Sequence, residues 1–307
     1  MRALITGATG FIGRALVRAM TGPVVLTRDP DRAGRVLGPA VALYRWDPQA
    51  GPPPAEAFSN VDAIFHLAGQ SIADSRWSEA RKRLIRDSRV IGTRNLVARI
   101  ESLRERPRVL ISASAVGFYG DRGDEALEEP AAPGKDFLAE LCRDWEAEAQ
   151  RATTFGVRVV TPRTGIVLGR SGGALAKMLP PFKLGLGGRL GSGRQWMPWI
   201  HLHDHVGLLF HAAARPEVSG ALNAVGPAPV TNAEFTRTLA LVLRRPAIFP
   251  VPAFMLRLVF GELSSVLLSS QRVVPRVAEK TGYQFRFSTL EAALRDILGE
   301  ERAAQGA

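Results

Sequence analysis

The 307-residue chain lacks any run of about 18 uninterrupted apolar residues, the length a helix needs to cross the hydrocarbon layer of a membrane. No membrane-spanning helix is expected. Met1 leads directly into the strand-like Ala-Leu-Ile-Thr at 3–6, without the basic flank and apolar segment of a secretory leader. The expected location is cytoplasmic. Cysteine is almost missing: Cys142 stands alone, which excludes an internal disulfide and agrees with a reducing compartment. There is no internal repeat and no linker of disordered composition. The length is that of one large domain, or of a nucleotide-binding domain carrying a smaller lobe.

Acidic residues are in deficit, 29 against 40 basic ones, for a formal net charge of +11. A nucleic-acid binder concentrates such charge on one face, where it releases counterions. Here the Arg residues are scattered through "RDPDRAGR", "RWSEARKRLIRDSR" and "ESLRERPR" with acidic residues between them, the pattern of solvated helix faces. Neither a nucleic acid nor a membrane is expected as a partner. A small-molecule substrate is, and self-association is left open.

What the chain does contain is alternation. "RALIT", "PVVLT", "DAIFHLAG", "RVLISAS" and "VRVVTPRTGIVLG" read as strands, while "FIGRALVRAM", "RVIGTRNLVARIESL" and "FLAELCRDWEAEAQRA" read as helices. A repeated β-α-β order predicts an α/β fold: a Rossmann-type parallel sheet with helices on both faces. After residue 169 the texture becomes Gly- and Pro-rich, which marks a smaller C-terminal substrate lobe. The expected division is 1–169 for the dinucleotide-binding domain and 170–300 for the lobe, with part of 205–230 returning to the first domain.

The strongest motif is "TGATGFIG". Gly7, Gly10 and Gly13 follow a strand and open a helix, so backbone can approach a pyrophosphate at a helix N-terminus, with Thr9, Phe11 and Ile12 completing the loop. This is a dinucleotide site. About 20 residues past the first glycine, where a carboxylate would bind a free ribose 2′-hydroxyl, stand Thr27 and Arg28. Arg28 suits a 2′-phosphate, so the expected cofactor is NADP(H). An exposed strand-end Arg beside Asp29 is the other reading.

"TGATGFIG", "HLAG", "SASAVGFYG", "PRTGIVLG" and "WIHLHDH" occur in the order and spacing of the extended short-chain dehydrogenase/reductases. "GLGGRLGSGRQWMPWIH" and "LLSSQRVVPRVAEKTGYQF" resemble more closely its atypical branch of NAD(P)-dependent epimerase family proteins, the YfcH-like group. The resemblance covers nearly the whole chain. It implies that Leu67, Ala68 and Gly69 line the adenine-ribose side of the cofactor, with Gln70 at the rim. Arg89 on the next helix is either a phosphate or ribose contact or a helix-surface Arg.

Members of that superfamily hold the substrate oxygen with Ser or Thr and move the proton with a Tyr whose phenol is tuned by a Lys four residues later. Ser114 matches the Ser. Aligned on Glu146, the Tyr and Lys positions are Leu138 and Cys142, and neither can do that chemistry. Tyr119, beside the end of a sheet strand, is the nearest candidate acid; Lys135 could tune it only if its loop folds inward. Ser114 and Tyr119 as ordinary hydrogen-bonded loop residues is the competing reading.

In the lobe, the resemblance places "GSGRQWMPWIH" along the substrate cleft. Arg194 would then pair with an anionic group and Trp199 form an apolar wall, unless both pack the lobe. His201, His203, Asp204 and His205 lack a second ligand group at recognisable spacing, so no metal is expected; Asp204 reads as a helix cap. Two function classes remain: an NADP(H)-dependent oxidoreductase or epimerase acting on a small polar molecule, or a non-catalytic NADP(H)-binding regulator that signals cofactor state to a protein partner.

Overall fold

The computed structural model describes residues 1–305, with side chains described through residue 299. Its centre is a parallel sheet of β1 (Ala3–Thr6), β2 (Val24–Thr27), β3 (Ala42–Arg45), β4 (Ala63–His66), β5 (Val109–Ser112), β6 (Arg158–Thr164) and β7 (Gly220–Ala224). The spatial order is 7-6-5-4-1-2-3. Two residues beyond β5, Ser114–Ala115, pair with the end of β6.

Successive side chains of a strand point to opposite faces, so each strand feeds two cores. Ile5, Phe65 and Ile111 pack with Leu16 of α1 (Phe11–Arg18) and Leu209 of a later helix, Leu202–Ala214. Their neighbours Leu4, Ile64 and Leu110 pack on the other side, against Leu96 and Ile100. Those two belong to α3 (Glu79–Ser102), which follows α2 (Pro30–Leu37) and precedes α4 (Phe137–Gln150). Continuous apolar strands covered on both faces are what a parallel sheet requires.

The helix Leu202–Ala214 lies against α1 and β5, and β7 pairs with β6, so these two elements belong to the sheet layers although they follow lobe sequence. The lobe itself has a separate core. Leu175 and Phe182 of α5 (Gly173–Lys183) meet Trp199, and Phe235 and Leu239 of Asn232–Leu243, which is α7 when Leu202–Ala214 is counted as α6. Leu290 and Leu294 of the C-terminal helix Leu290–Gln305 complete it.

Asp204 does not cap α6. The cap is His201, whose Nδ1 accepts the His203 N–H at 3.0 Å. Asp204 is buried one turn in, and its carboxylate accepts the backbone N–H groups of Arg286 and Phe287 at 2.8 and 2.9 Å. A helix-start carboxylate thus ties the C-terminal segment to the sheet. No helix among the described residues is long and apolar enough to cross a membrane.

Candidate functional site

The strand order reverses between β1 and β4, and in open α/β sheets the crevice beyond the strand ends at such a point takes the ligand. The loop from β1 into α1 stands there. Gly7 has φ +70°, and a Cβ on it would lie 2.7 Å from the carbonyl of Leu67 at the end of β4. Only glycine lets the two strand ends close up this far. Gly10 is the N-cap of α1, has no side-chain capping bond, and is followed by no acidic residue in the first turn. The helix start therefore presents unclaimed N–H groups and the positive end of its dipole.

The remaining loop residues divide between the crevice and the protein interior. Thr9 and Gly10 are exposed, while Ile12 packs toward the sheet. Phe11 turns its ring onto Gly169, Gly172 and Gly173 at the start of the lobe, where an added Cβ would meet it within about 3 Å. Its side chain couples loop to lobe, and only its backbone faces the helix start. Gly13 is buried, and a Cβ there would strike backbone of Gly7 and Ala8.

Beneath the crevice lies a closed polar chain. His66 contacts Thr6 Oγ1 through Nδ1 at 2.7 Å and Thr93 Oγ1 through Nε2 at 3.0 Å, while Thr93 also accepts from the Trp145 indole at 2.9 Å. Thr6 Oγ1 in turn accepts the Ala68 N–H at 3.1 Å. Complete burial drives the His66 pKa down to about 4, so the imidazole is neutral and serves as a strut. This chain fixes the direction of Leu67, Ala68 and Gly69 as they leave β4.

At the far edge, Thr27 and Arg28 end β2, with Arg28 exposed. Asp29 is not a free carboxylate: it caps α2 by accepting the Arg32 N–H at 3.0 Å. Arg45, at the end of the neighbouring β3, donates to the Arg28 carbonyl at 3.2 Å and brings a second guanidinium to the same corner. Sequence reading missed it because the third strand carries little pattern. Arg89 donates to the Gln70 carbonyl at 2.9 Å, lies under Gly69 and sits over the Trp145 ring at 5.2 Å. Burial pulls its pKa down to about 10. It braces the Gly69-Gln70 turn from below.

Ser114 and Tyr119 have different fates. Ser114 is buried at 4 % exposure beyond β5 and donates its hydroxyl proton to Glu146 Oε1 of α4 at 2.6 Å. Both Glu146 oxygens are also held by Arg163 of β6, at 2.9 Å each. Burial opposes the Arg163 charge, but the Glu146 carboxylate beside it keeps its pKa above the ordinary value. Tyr119 is a correction to the expected proton donor. It is fully buried, its hydroxyl donates to Asn223 Oδ1 at 2.6 Å and accepts from Arg163 Nη1 at 3.0 Å, and desolvation raises its pKa. A phenol with no open side cannot meet a substrate.

Leu138 packs on Gly117, and Cys142 is a buried thiol whose pKa burial pushes up to about 12, so neither position offers an acid or a nucleophile. Lys135 is exposed on the loop before α4. In the sequence Glu146 is only an alignment anchor, and Arg163 is not singled out. Arg163 in the middle of the apolar stretch "VRVVTPRTGIVLG", whose other charge, Arg158, stands near its start, was the available signal, because a charge is rarely buried there without a partner.

In the lobe, Trp199 is fully buried and its indole donates to the Ala228 carbonyl at 2.9 Å, which removes it from the expected cleft wall. Three residues earlier Trp196 is partly open, stacked under the Arg272 guanidinium at 4.8 Å and donating to Asp124 at 2.8 Å. Arg194 is exposed. His201, His203 and His205 do not converge: His205 is buried on Thr164 with its pKa lowered to about 4 by desolvation, and His203 faces out. The loop after β4 is strapped to the lobe by Arg76, which donates to the Leu258 and Val259 carbonyls, and the start of α3 by Lys82, 3.0 Å from Glu262.

A model of the NAD dependent epimerase/dehydratase family matches residues 3–225, and one of a domain of unknown function, DUF1731, matches residues 251–297. An epimerase family protein of Mycobacterium tuberculosis is 42% identical over 296 residues, covering 94% of this chain and 95% of its own. The epimerase family protein SDR39U1 of Homo sapiens is 38% identical over 305 residues, covering 97% and 100%. The crystal structure of human SDR39U1 isoform 2 with NADPH superposes with a TM-score of 0.88 at 37% identity, over 97% of this chain and 99% of the other.

Proposed function

The chain belongs to the NAD dependent epimerase/dehydratase family, and from that premise we propose that it is an NADP(H)-dependent oxidoreductase or epimerase acting on a small polar molecule. The observation that carries the cofactor choice is the corner at the end of β2. Arg28 and Arg45 meet there while Asp29, the carboxylate next to Arg28 in the chain, is spent on the start of α2. Two guanidiniums, with the strand-end carboxylate Asp29 committed to its helix, favour a 2′-phosphate over a 2′-hydroxyl. Human SDR39U1, crystallised with NADPH, supports the same reading.

The uncapped start of α1 fits the pyrophosphate, and Leu67, Ala68 and Gly69 form the wall beside it. Bound NADP(H) supplies hydride chemistry. The chain's own part is to hold the substrate oxygen and move one proton. Ser114 already gives its proton to Glu146, so its oxygen can accept the proton of a substrate hydroxyl while its own passes to Oε1. This Ser114–Glu146 pair takes the place of the absent phenol and ammonium. On the lobe side, the exposed Arg194 is available to an anionic substrate group.

A specific observation also favours the second reading, a regulator that binds NADP(H) without turnover: Leu138 and Cys142 occupy the usual proton-transfer positions, and Tyr119 is sealed in the core. Calorimetric titration tests the cofactor. NADPH should bind roughly 10- to 150-fold more tightly than NADH, the equivalent of a charge-assisted contact, and Arg28→Ala should erase most of that difference. Equal affinities in the wild type would remove the assignment. A panel of carbonyl compounds and sugar nucleotides added to the NADPH complex separates the two readings, since only an enzyme oxidises the bound cofactor.

A further inference from the structure

Of the fourteen large apolar side chains exposed on the described surface, eleven fall between Leu184 and Val266, in the lobe. They are brought together by pairing. Segments 184–191 and 246–253 run side by side, with Phe249 N–H on the Gly187 carbonyl at 3.3 Å and Val251 N–H on the Arg189 carbonyl at 2.9 Å. The helix Ala253–Phe260 follows at once, burying Leu256 and leaving Phe254 and Leu258, one turn apart, 67% and 73% exposed. Monomeric soluble proteins rarely leave so many large apolar groups in one region uncovered.

Beside this patch runs a groove of about 860 Å³, whose walls include Leu241, Ile248 and four arginines: Arg189, Arg237, Arg244 and Arg245. No acidic residue lines it. Segments 176–191 and 235–261 contain no Asp or Glu, yet together hold two Lys and five Arg. The guanidiniums of Arg237, Arg244 and Arg245 have no hydrogen bond or ion pair among the described residues; Glu234, which caps α7, acts on Arg237 only at longer range. Arg244 also has φ 54° and ψ 45°, a left-handed conformation that a glycine would adopt without strain at this helix end. Four arginines on one groove, three of them without a hydrogen bond or ion pair among the described residues, fit an external anion.

We propose that this face docks peripherally on an anionic lipid surface, its arginines taking phosphate headgroups and Phe254, Leu258, Ile248 and Phe249 entering the acyl boundary. Apolar side chains rimmed by unpaired basic ones are what an interfacial anchor needs. A second copy of the chain fits poorly, because it would bring another net charge of +11 and another basic groove. The helix Ala253–Phe260 also receives Arg76 from the loop beside the dinucleotide crevice, so docking would place that crevice one helix from the lipid.

Cosedimentation of the full chain with vesicles tests this. Vesicles of phosphatidylcholine with about one third phosphatidylglycerol should carry the protein down at low salt and release it at about 0.5 M salt, and phosphatidylcholine alone should not bind it. Arg237→Ala and Arg245→Ala should each weaken binding about fivefold. Arg244→Gly, which relieves the strained conformation and so keeps the fold, should weaken it to the same degree. The double variant Phe254→Ser with Leu258→Ser should lose binding while its NADPH affinity and melting temperature stay at wild-type values. Failure to bind anionic vesicles, or equal binding to neutral ones, overturns the proposal. So does a wild-type dimer in sedimentation equilibrium that the Phe254/Leu258 variant breaks.

Discussion

Replacing Arg163 by Met removes the cation that organises the strand ends beneath Ser114. Its guanidinium holds both Glu146 oxygens at 2.9 Å, the Tyr119 hydroxyl at 3.0 Å and the Glu129 carbonyl at 2.9 Å, and its carbon lies 3.4 Å from the centre of the Phe118 ring. The Arg163 and Glu146 side chains are 6% and 11% exposed, so removing one leaves the other charged in a nearly dry site. Breaking a buried pair in this way costs about 3–5 kcal/mol. Ser114 still donates to Glu146, which places the expected loss near the lower bound, about 3 kcal/mol. Removing both charges, in Arg163→Met with Glu146→Leu, should recover most of it, because no stranded ion remains. Glu146→Leu alone strands the Arg163 charge at a similar cost, so the coupling between the two sites should be roughly 5 kcal/mol. Urea unfolding, followed by tryptophan fluorescence and circular dichroism with coincident transitions and an unchanged m-value, measures each corner of the cycle. A loss below about 1 kcal/mol in Arg163→Met, or a double variant that merely sums the two singles, would refute the reasoning.

Three further outcomes are expected. Tyr119→Phe leaves Asn223 and Arg163 short of a partner, so it should cost about 1–3 kcal/mol of stability while NADPH affinity stays unchanged; large loss of turnover at full stability would return the phenol to the reaction. Gly10→Val should abolish dinucleotide binding in a folded chain, since a Cβ at the exposed Gly10 meets only the Gly7 carbonyl at 3.2 Å, whereas Gly13→Val should unfold the loop itself; circular dichroism beside calorimetry separates the two. His66 and His205 have folded pKa values of about 4 against an ordinary 6.5, so the stability they contribute is full above pH 6.5 and lost as pH falls through 4. Urea midpoints between pH 7 and 4 should show proton uptake on unfolding, and His66→Gln should flatten the slope; a midpoint independent of pH across that range would contradict the buried neutral imidazoles.

The β-α-β alternation and the glycine loop were readable along the chain, because each depends on neighbours within one turn of helix or one strand. Hydrophobic period sets strand or helix locally, and Gly7 and Gly10 act through their own backbone. The direction in which a side chain points at a strand end is different in kind. Ser114 and Tyr119 lie five positions apart, yet one stops at Glu146, 32 residues on, and the other is drawn inward by Asn223, 104 residues on. Arg45 became a neighbour of Arg28 only because β2 and β3 pair with Thr27 beside Arg45. Trp199 could line a cleft or fill a core, and the lobe helices that cover it settled on the core. Burial and charge pairing are sums over contacts distant in sequence, and no local pattern carries that sum.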